Sequence, residues 1–295
     1  EDQILRRSYG NGTLCGTNST SIVVQDYVPN PLLVKGHKFD FRIYMMIASV
    51  NPLIVYYHDG FLRVSLFEYD VESKEKSMHL TNTAQSNKAL KKAVAQGMNE
   101  TELKNFQFWN LTRFADYLVE IGKVKSRDWL DEYLRPSLQL AMQHLIRMSQ
   151  HSYYPSSSSW ALLGMDFILD DDLNLWFIEG NAPPELKSGT EEKERFVTKM
   201  ALDMFEIVIS LTRSRLKRAV KYVNWLEKSG LVKQKLGKTV SISKLEQRRK
   251  EFKEITMNYF DEEYEVSSDN GWVKIIDENQ DGLSRYNGNI PVECF

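Results

Sequence analysis

Cysteine is nearly missing from this chain: among 295 residues there are only Cys15 and Cys294, at opposite ends. That spacing excludes a disulfide-stapled secreted scaffold and a cysteine zinc site, and it fits a reducing compartment. Long apolar runs are missing too. No window approaches the roughly 20 apolar residues needed to cross a bilayer, and the opening EDQILRRSYGNG has no apolar stretch of the kind found in signal peptides. No membrane partner is expected, and the sequons at Asn11, Asn18, Asn99 and Asn110 are read as chance matches. Net charge is only -2, which gives no global reason to expect nucleic acid and directs attention to local asymmetry. There is no internal repeat. What the chain does have is 42% apolar and 26% charged residues, enough to bury one large core or two modest ones.

Residues 1–20 end in NGTLCGTNST and show no periodicity, so they read as loop. SIVVQDYV at 21–28 is β-branched and apolar, and the Pro-Asn-Pro that follows ends it. KFDFRIYMMIASV at 38–50 alternates at its start, and NPLIVYYHDGFLRVSLF reads as a hairpin turning at His58, Asp59 and Gly60. Residues 84–103 are polar and charged, which suits a mobile excursion more than a core element. Leu134, Leu138, Ala141, Leu145 and Met148 mark one stripe of a helix, with Pro136 in its first turn or at a kink. The serines at 156–159 read as loop. WALLGMDFIL and LWFIEGN read as two antiparallel strands around the acidic turn DDDLN, with Pro183 and Pro184 stopping the second. FVTKMALDMFEIVISL has the period of a helix packed on a sheet.

Alternation places Lys38, Asp40 and Arg42 on one face of their strand, about 7 Å apart per step. A bare K-x-D-x-R is more often the solvated face of an amphipathic strand, so the triplet alone carries little. The acidic hairpin adds weight. Asp166 and Glu179 each stand in an apolar run, where a carboxylate is costly unless paired or bound to a cation. A turn centred near Asp172 and Leu173 sets them opposite one another, and Asn181 shares the face of Glu179. Two carboxylates and an amide oxygen suit Mg²⁺, a hard cation that takes oxygen ligands. A like-charge pair relieved by a nearby Arg or Lys is the structural alternative.

QDYVPNPLLVKGHKFDFRIY, FLRVS, MHLTN at 78–82, GMDFIL and WFIEGNAPP stand in the order found in the tubulin tyrosine ligase-like enzymes, which are ATP-grasp ligases, and residues 21–212 resemble that family. The resemblance implies an α+β ATP-grasp fold with antiparallel sheets and packed helices. It implies that Gln25, Tyr27 and Val28 receive adenine. Lys38 and Asp40 would meet the nucleotide sugar and its neighbours, and Arg42 and Arg63 the phosphates and the reacting carboxylate. His79, Leu80, Thr81 and Asn82 would line the nucleotide and acceptor region, while Asp166, Glu179 and Asn181 would hold magnesium. ATP and Mg²⁺ are the implied cofactors, with a free amino acid as co-substrate. The implied reaction adds glutamate or glycine to side-chain carboxylates of tubulin through an acyl phosphate. Tyrosine addition fits less well, and an inactive microtubule-binding or ciliary scaffold is the alternative.

The family's lysine strand and glycine-rich phosphate loop stand some tens of residues before the hinge, whereas 24 residues precede Gln25 here. The expectation is therefore a fragment that lacks the N-terminal domain and part of the central one, residues 1–20 being a remnant. GNAPPEL also departs from the small residue and Ser that the family more often has after the first Pro, without touching a metal ligand. Beyond the ligase region, 213–254 reads as a basic helical extension. From Arg213 to Lys253, fourteen basic residues face three acidic ones, an excess of eleven. Such a segment attracts a polyanion. Acidic tubulin tails on microtubules fit, a solvated helix is the alternative, and nucleic acid is a poorer match because no aromatic interleaving accompanies the charge. In the tail, 255–295, DENQDG resembles half an EF-hand loop, but its twelfth position is Gly288, which excludes a calcium site. WVKII and LSRY read as a hairpin packing back on the ligase region. The implied location is the cytoplasm and cytoskeleton, including a cilium or flagellum.

Overall fold

The computed structural model describes residues 26–50, 52–153, 160–187, 189–229, 247, 250 and 266–278. Gln25, the loop at 1–20, the serines at 156–159, nearly all of the basic segment beyond Ser229 and the LSRY strand lie outside the described residues. Strands β1 (Leu33–Val34), β2 (His37–Val50) and β3 (Leu53–Glu68) begin the fold. Lys35 and Gly36, both at positive φ (51° and 82°), make the two-residue turn from β1 to β2, a backbone shape that matches the twist of the flanking strands. Strand β4 (Phe108–Asn110) and the hairpin β5 (Ala161–Leu169) and β6 (Leu175–Asn181) complete the main sheet, ordered β4-β3-β2-β5-β6. Strand β7 (Val273–Asp277) pairs with β3, and every pairing is antiparallel.

The two faces of β2 explain the layers. Phe39, Phe41, Ile43, Met45 and Ile47 enter one core with residues of α4 (Leu111–Glu120) and α5 (Arg135–Ser149). Tyr44, Met46 and Ala48 enter another with Met200, Met204, Ile207 and Leu211 of the long α6 (Glu191–Ser229). The sheet is thus α+β and covered on both faces, which is why β2 is apolar throughout this stretch instead of alternating. The even-numbered positions nearer the start of β2, Lys38 and Asp40, face a cleft instead of the helix.

Three expectations need correction. No turn occurs at His58, Asp59 and Gly60, because β3 runs unbroken from Leu53 to Glu68 and pairs along β2 with register shifts. Gly60 is required by close approach: a Cβ there would lie 1.6 Å from the Arg42 carbonyl oxygen. The stretch 84–103 is mostly helical, with α2 (Thr83–Ala95) and α3 (Glu100–Gln107) following the short α1 (Lys76–His79). Asn82 and Asn99 cap these helices by accepting bonds from Gln85 N and from Thr101 N and Glu102 N. One Asn oxygen at each start satisfies amide groups that the helix leaves free, so a stretch with little to bury still folds. In α5 the buried line is Leu138, Met142 and Ile146, while Met148 is exposed. Pro136 does sit in the first turn, after a π-helical turn at Leu130–Leu134.

The helix expected at 196–211 is the core-facing part of α6, which continues into the basic segment as far as Ser229. Trp272 Nε1 donates to the Met200 carbonyl, and β7 lies against β3, so the described tail residues, 266–278, pack back on the sheet. Among the described residues no helix is long and apolar enough to cross a membrane.

Candidate nucleotide and metal site

Cross-strand register sets the charged residues side by side. Asp40 of β2 pairs with Arg63 of β3, Arg42 with Asp166 of β5, and Asp166 with Glu179 of β6. The last pairing depends on the turn: the Asp170 carboxylate accepts from the backbone N–H groups of Asp172 and Asn174, and Leu173 takes φ 66°.

Asp166 is 2% exposed. Arg42 grips it with two bonds, Nε to Oδ1 at 2.6 Å and Nη2 to Oδ2 at 3.0 Å, and Arg63 Nη2 reaches Oδ2 at 2.8 Å. Arg63 also donates from Nε to Asp40 Oδ1 at 2.8 Å and from Nη2 to Asp40 Oδ2. Burial works against the charge on Arg63, but Asp40 and Asp166 more than offset it, so its pKa is raised and it stays a cation. Gly164 makes room for this web, since a Cβ there would stand 2.9 Å from Arg42 Cδ and from Pro184 Cβ.

Glu179 corrects part of the sequence argument. It lies on the edge strand β6 and is exposed, so burial does not explain its charge. Its hydrogen-bond partner among the described residues is Asn181, whose Nδ2 stands 3.2 Å from Glu179 Oε1 and 3.3 Å from Asp166 Oδ2. The amide group therefore sits between two carboxylates. Turning the amide about its last side-chain bond presents its oxygen in place of its nitrogen, and the set then offers three hard oxygen donors. These residues fit a divalent cation. Among the described residues no group of three or more His, Cys, Asp and Glu is placed to hold a metal ion, so an amide has to complete the set.

A cleft of about 370 Å³ opens beside this web, within the size range of pockets that enclose small ligands. It is lined by Tyr27, Val28, Lys38, Asp40, Arg63, His79, Leu80, Thr81, Asn82, Asp166 and Glu179 of the anticipated set. Arg42 and Asn181 touch the web but not the cleft wall. Lys38 is buried, and its Nζ donates to Tyr27 Oη at 3.0 Å while lying 4.4 Å from that ring's centre. Burial lowers its pKa to about 8, with Asp40 opposing. His79 Nε2 lies 2.6 Å from the Ser73 carbonyl, which can only accept, so the neutral ring carries its proton there. Nδ1 then accepts from Tyr27 Oη at 2.8 Å. Burial, then Tyr69, raises the Tyr27 pKa, which keeps that hydroxyl a donor.

Sequence reasoning missed the apolar wall of Ile168, Trp176, Phe177 and Ile178. Trp176 and Phe177 are 50% and 38% exposed. Two adjacent aromatics on a strand that then carries an acidic residue were the available signal, once the strand was known to be an edge.

The sequence model of the Tubulin-tyrosine ligase family matches residues 2–216. The chain belongs to the tubulin-tyrosine ligase family. Among its relatives, tubulin glycylase 3A of Drosophila melanogaster is 30% identical over 206 residues, 70% of this chain and 20% of that protein. Tubulin glycylase 3C of Tetrahymena thermophila is 30% identical over 229 residues, 73% and 21% respectively. A human protein described as an inactive polyglycylase is 27% identical over 198 residues, 66% and 28%. The chain thus spans about a fifth to three tenths of the length of these tubulin-tyrosine ligase family members. The matched residues 2–216 contain strands β1 to β6 and the whole charged web.

Proposed function

We propose that this chain supplies the ATP- and magnesium-binding part of an ATP-grasp ligase that joins a free amino acid to side-chain carboxylates of tubulin. The observation that carries the reading is the convergence of Lys38, Asp40, Arg63, Asp166 and Glu179, from four neighbouring strands, on one cleft. Glutamate or glycine is the amino acid added, and relatives named tubulin glycylases favour glycine.

Tyr27, Val28 and the Trp176–Ile178 wall hold the base, with Gln25 beside them. Lys38 and Asp40 contact the sugar and neighbouring phosphates, and His79 to Asn82 form the opposite rim. Asp166, Glu179 and Asn181 hold Mg²⁺, which when bound draws charge from the phosphate oxygens. The acceptor carboxylate attacks the γ-phosphorus; an O–P bond forms, the bond to the β-phosphate oxygen breaks, and ADP leaves. The amine of the free amino acid then attacks the acyl carbon, a C–N bond forms, and phosphate departs with the electron pair while the nitrogen gives up a proton. Arg63 stands on the cleft wall where both steps concentrate negative charge, with Arg42 fixed behind it on Asp166, so the pair stabilises that charge without reorganising. Arg suits this because its planar fork makes paired bonds to oxyanions.

Residues 21–212 form the ligase region in this reading, 213–254 the extension whose basic charge engages acidic tubulin tails, and 255–295 the tail that closes on the sheet. Cytoplasmic microtubules, including those of cilia, are the site of action. The test is ATP-dependent incorporation of labelled glycine and glutamate into tubulin by the full-length protein. Incorporation lost in Glu179→Gln supports the reading; incorporation of neither amino acid favours a non-catalytic scaffold.

A further inference from the structure

Arg63 has a second side. Away from the nucleotide cleft it lines a smaller pocket of about 120 Å³, together with Phe61, Asn87, Lys104, Thr190 and Lys193. Lys104 is already paired with Glu100 at 2.7 Å. Lys193, on the first turn of α6, is different: its Nζ lies 4.9 Å from the Phe61 ring centre, and no hydrogen bond or ion pair to that ammonium forms among the described residues. Its pKa is lowered by burial, with Glu185 opposing and Arg42 and Arg63 adding to the shift. A partly desolvated cation in the field of two guanidinium groups is costly until an anion arrives. The pocket offers that anion further donors in Asn87 and Thr190. Its volume falls below the roughly 300 Å³ at which ordinary ligand pockets begin, so it suits a molecule of a few heavy atoms and not a stretch of polypeptide.

We infer that this pocket is the site of the free amino acid, with Lys193 binding its α-carboxylate and Arg63 forming the wall shared with the nucleotide cleft. The inference rests on the ligase reading and assigns its second substrate a place. Holding the carboxylate at Lys193 leaves the amine free to face the Arg63 side, where the acyl phosphate forms.

Lys193→Met removes the charge and keeps the stem; Lys193→Arg keeps the charge. In the full-length protein, Lys193→Met raises the KM for glycine or glutamate, whichever is ligated, by about tenfold to a hundredfold, the loss expected for one charge-assisted hydrogen bond. KM for ATP and for tubulin stays unchanged, and Lys193→Arg restores most of the loss. Saturation-transfer NMR of free glycine and glutamate, with a non-hydrolysable ATP analogue present, reads binding without turnover, and Lys193→Met removes the signal. An unchanged KM for the amino acid, or a rise in the KM for tubulin instead, overturns the assignment. If nothing is ligated but Lys193→Met still abolishes amino-acid binding, the ligase reading falls and the pocket stands. If no amino acid binds, the assignment falls.

Discussion

Asp166 and Glu179 face one another across a single ladder, yet the fold depends on them very differently, and the pair Asp166→Asn and Glu179→Gln turns that into a measurement. Both changes remove one negative charge at nearly constant shape. Asp166 is 2% exposed and accepts three bonds from two guanidinium groups. Arg63 keeps Asp40 when Asp166 is neutralised, but the ion-pair partner of Arg42 among the described residues is Asp166, and Arg42 is 7% exposed. Breaking one partner of a buried pair leaves an uncompensated charge and costs about 3–5 kcal/mol. For a domain of this size that is roughly 6–20 °C in Tm. Glu179 is exposed and bonded to one amide, so Glu179→Gln changes stability by about 0.5 kcal/mol or less. The assay is thermal unfolding followed by circular dichroism, without nucleotide or metal. An Asp166→Asn protein that unfolds at the parent's temperature would refute the claim that this web is structural, and a large loss in Glu179→Gln would show that Glu179 supports the fold after all.

Gly60→Ala places a Cβ 1.6 Å from the Arg42 carbonyl oxygen, a backbone clash that no rotamer relieves; expression of folded protein should fall sharply, by a cost above the ~1–3 kcal/mol of ordinary overpacking. Lys38 gives a pH signature. Its folded pKa is lowered from 10.5 to about 8, so the folded state holds fewer protons than the unfolded one between those values. Stability therefore rises as pH increases from 8 to 10.5, and the penalty is fully present below pH 8. ATP affinity moves the other way, weakening above about pH 8 as the ammonium is lost, and Lys38→Arg, which stays charged, flattens that dependence in a fluorescent-nucleotide titration. Asn99→Ala removes the cap of α3 and costs about 1 kcal/mol in chemical denaturation.

The register of Asp166 against Glu179 was legible because the acidic turn between the strands fixes it locally, through Asp170 and the positive φ of Leu173. The shared face of Lys38, Asp40 and Arg42 followed from alternation alone. Gly60 misled because an Asp-Gly pair is a local turn signal, whereas its reason here is the pressing backbone of β2, a non-local fact. Helices α2 and α3 bury little beyond Ala89 and Ala93, so periodicity was faint and only the caps Asn82 and Asn99 announced them. That β6 is an edge strand, which exposes Glu179 and turns Trp176 and Phe177 toward a cleft, depends on which strands pair, and no local pattern states it. Lys193 stood in no motif; its setting is assembled from β3, α2, α3 and α6.

In the proposed site, Glu179 together with Asp166 and Asn181 binds the metal that accompanies ATP. The most direct measurement is equilibrium binding of ATP to the full-length protein, with and without Mg²⁺, for the parent and for Glu179→Gln. The expected result is that Mg²⁺ tightens binding to the parent and that Glu179→Gln loses this increment while keeping the metal-free affinity. An equal Mg²⁺ increment in both proteins would contradict it.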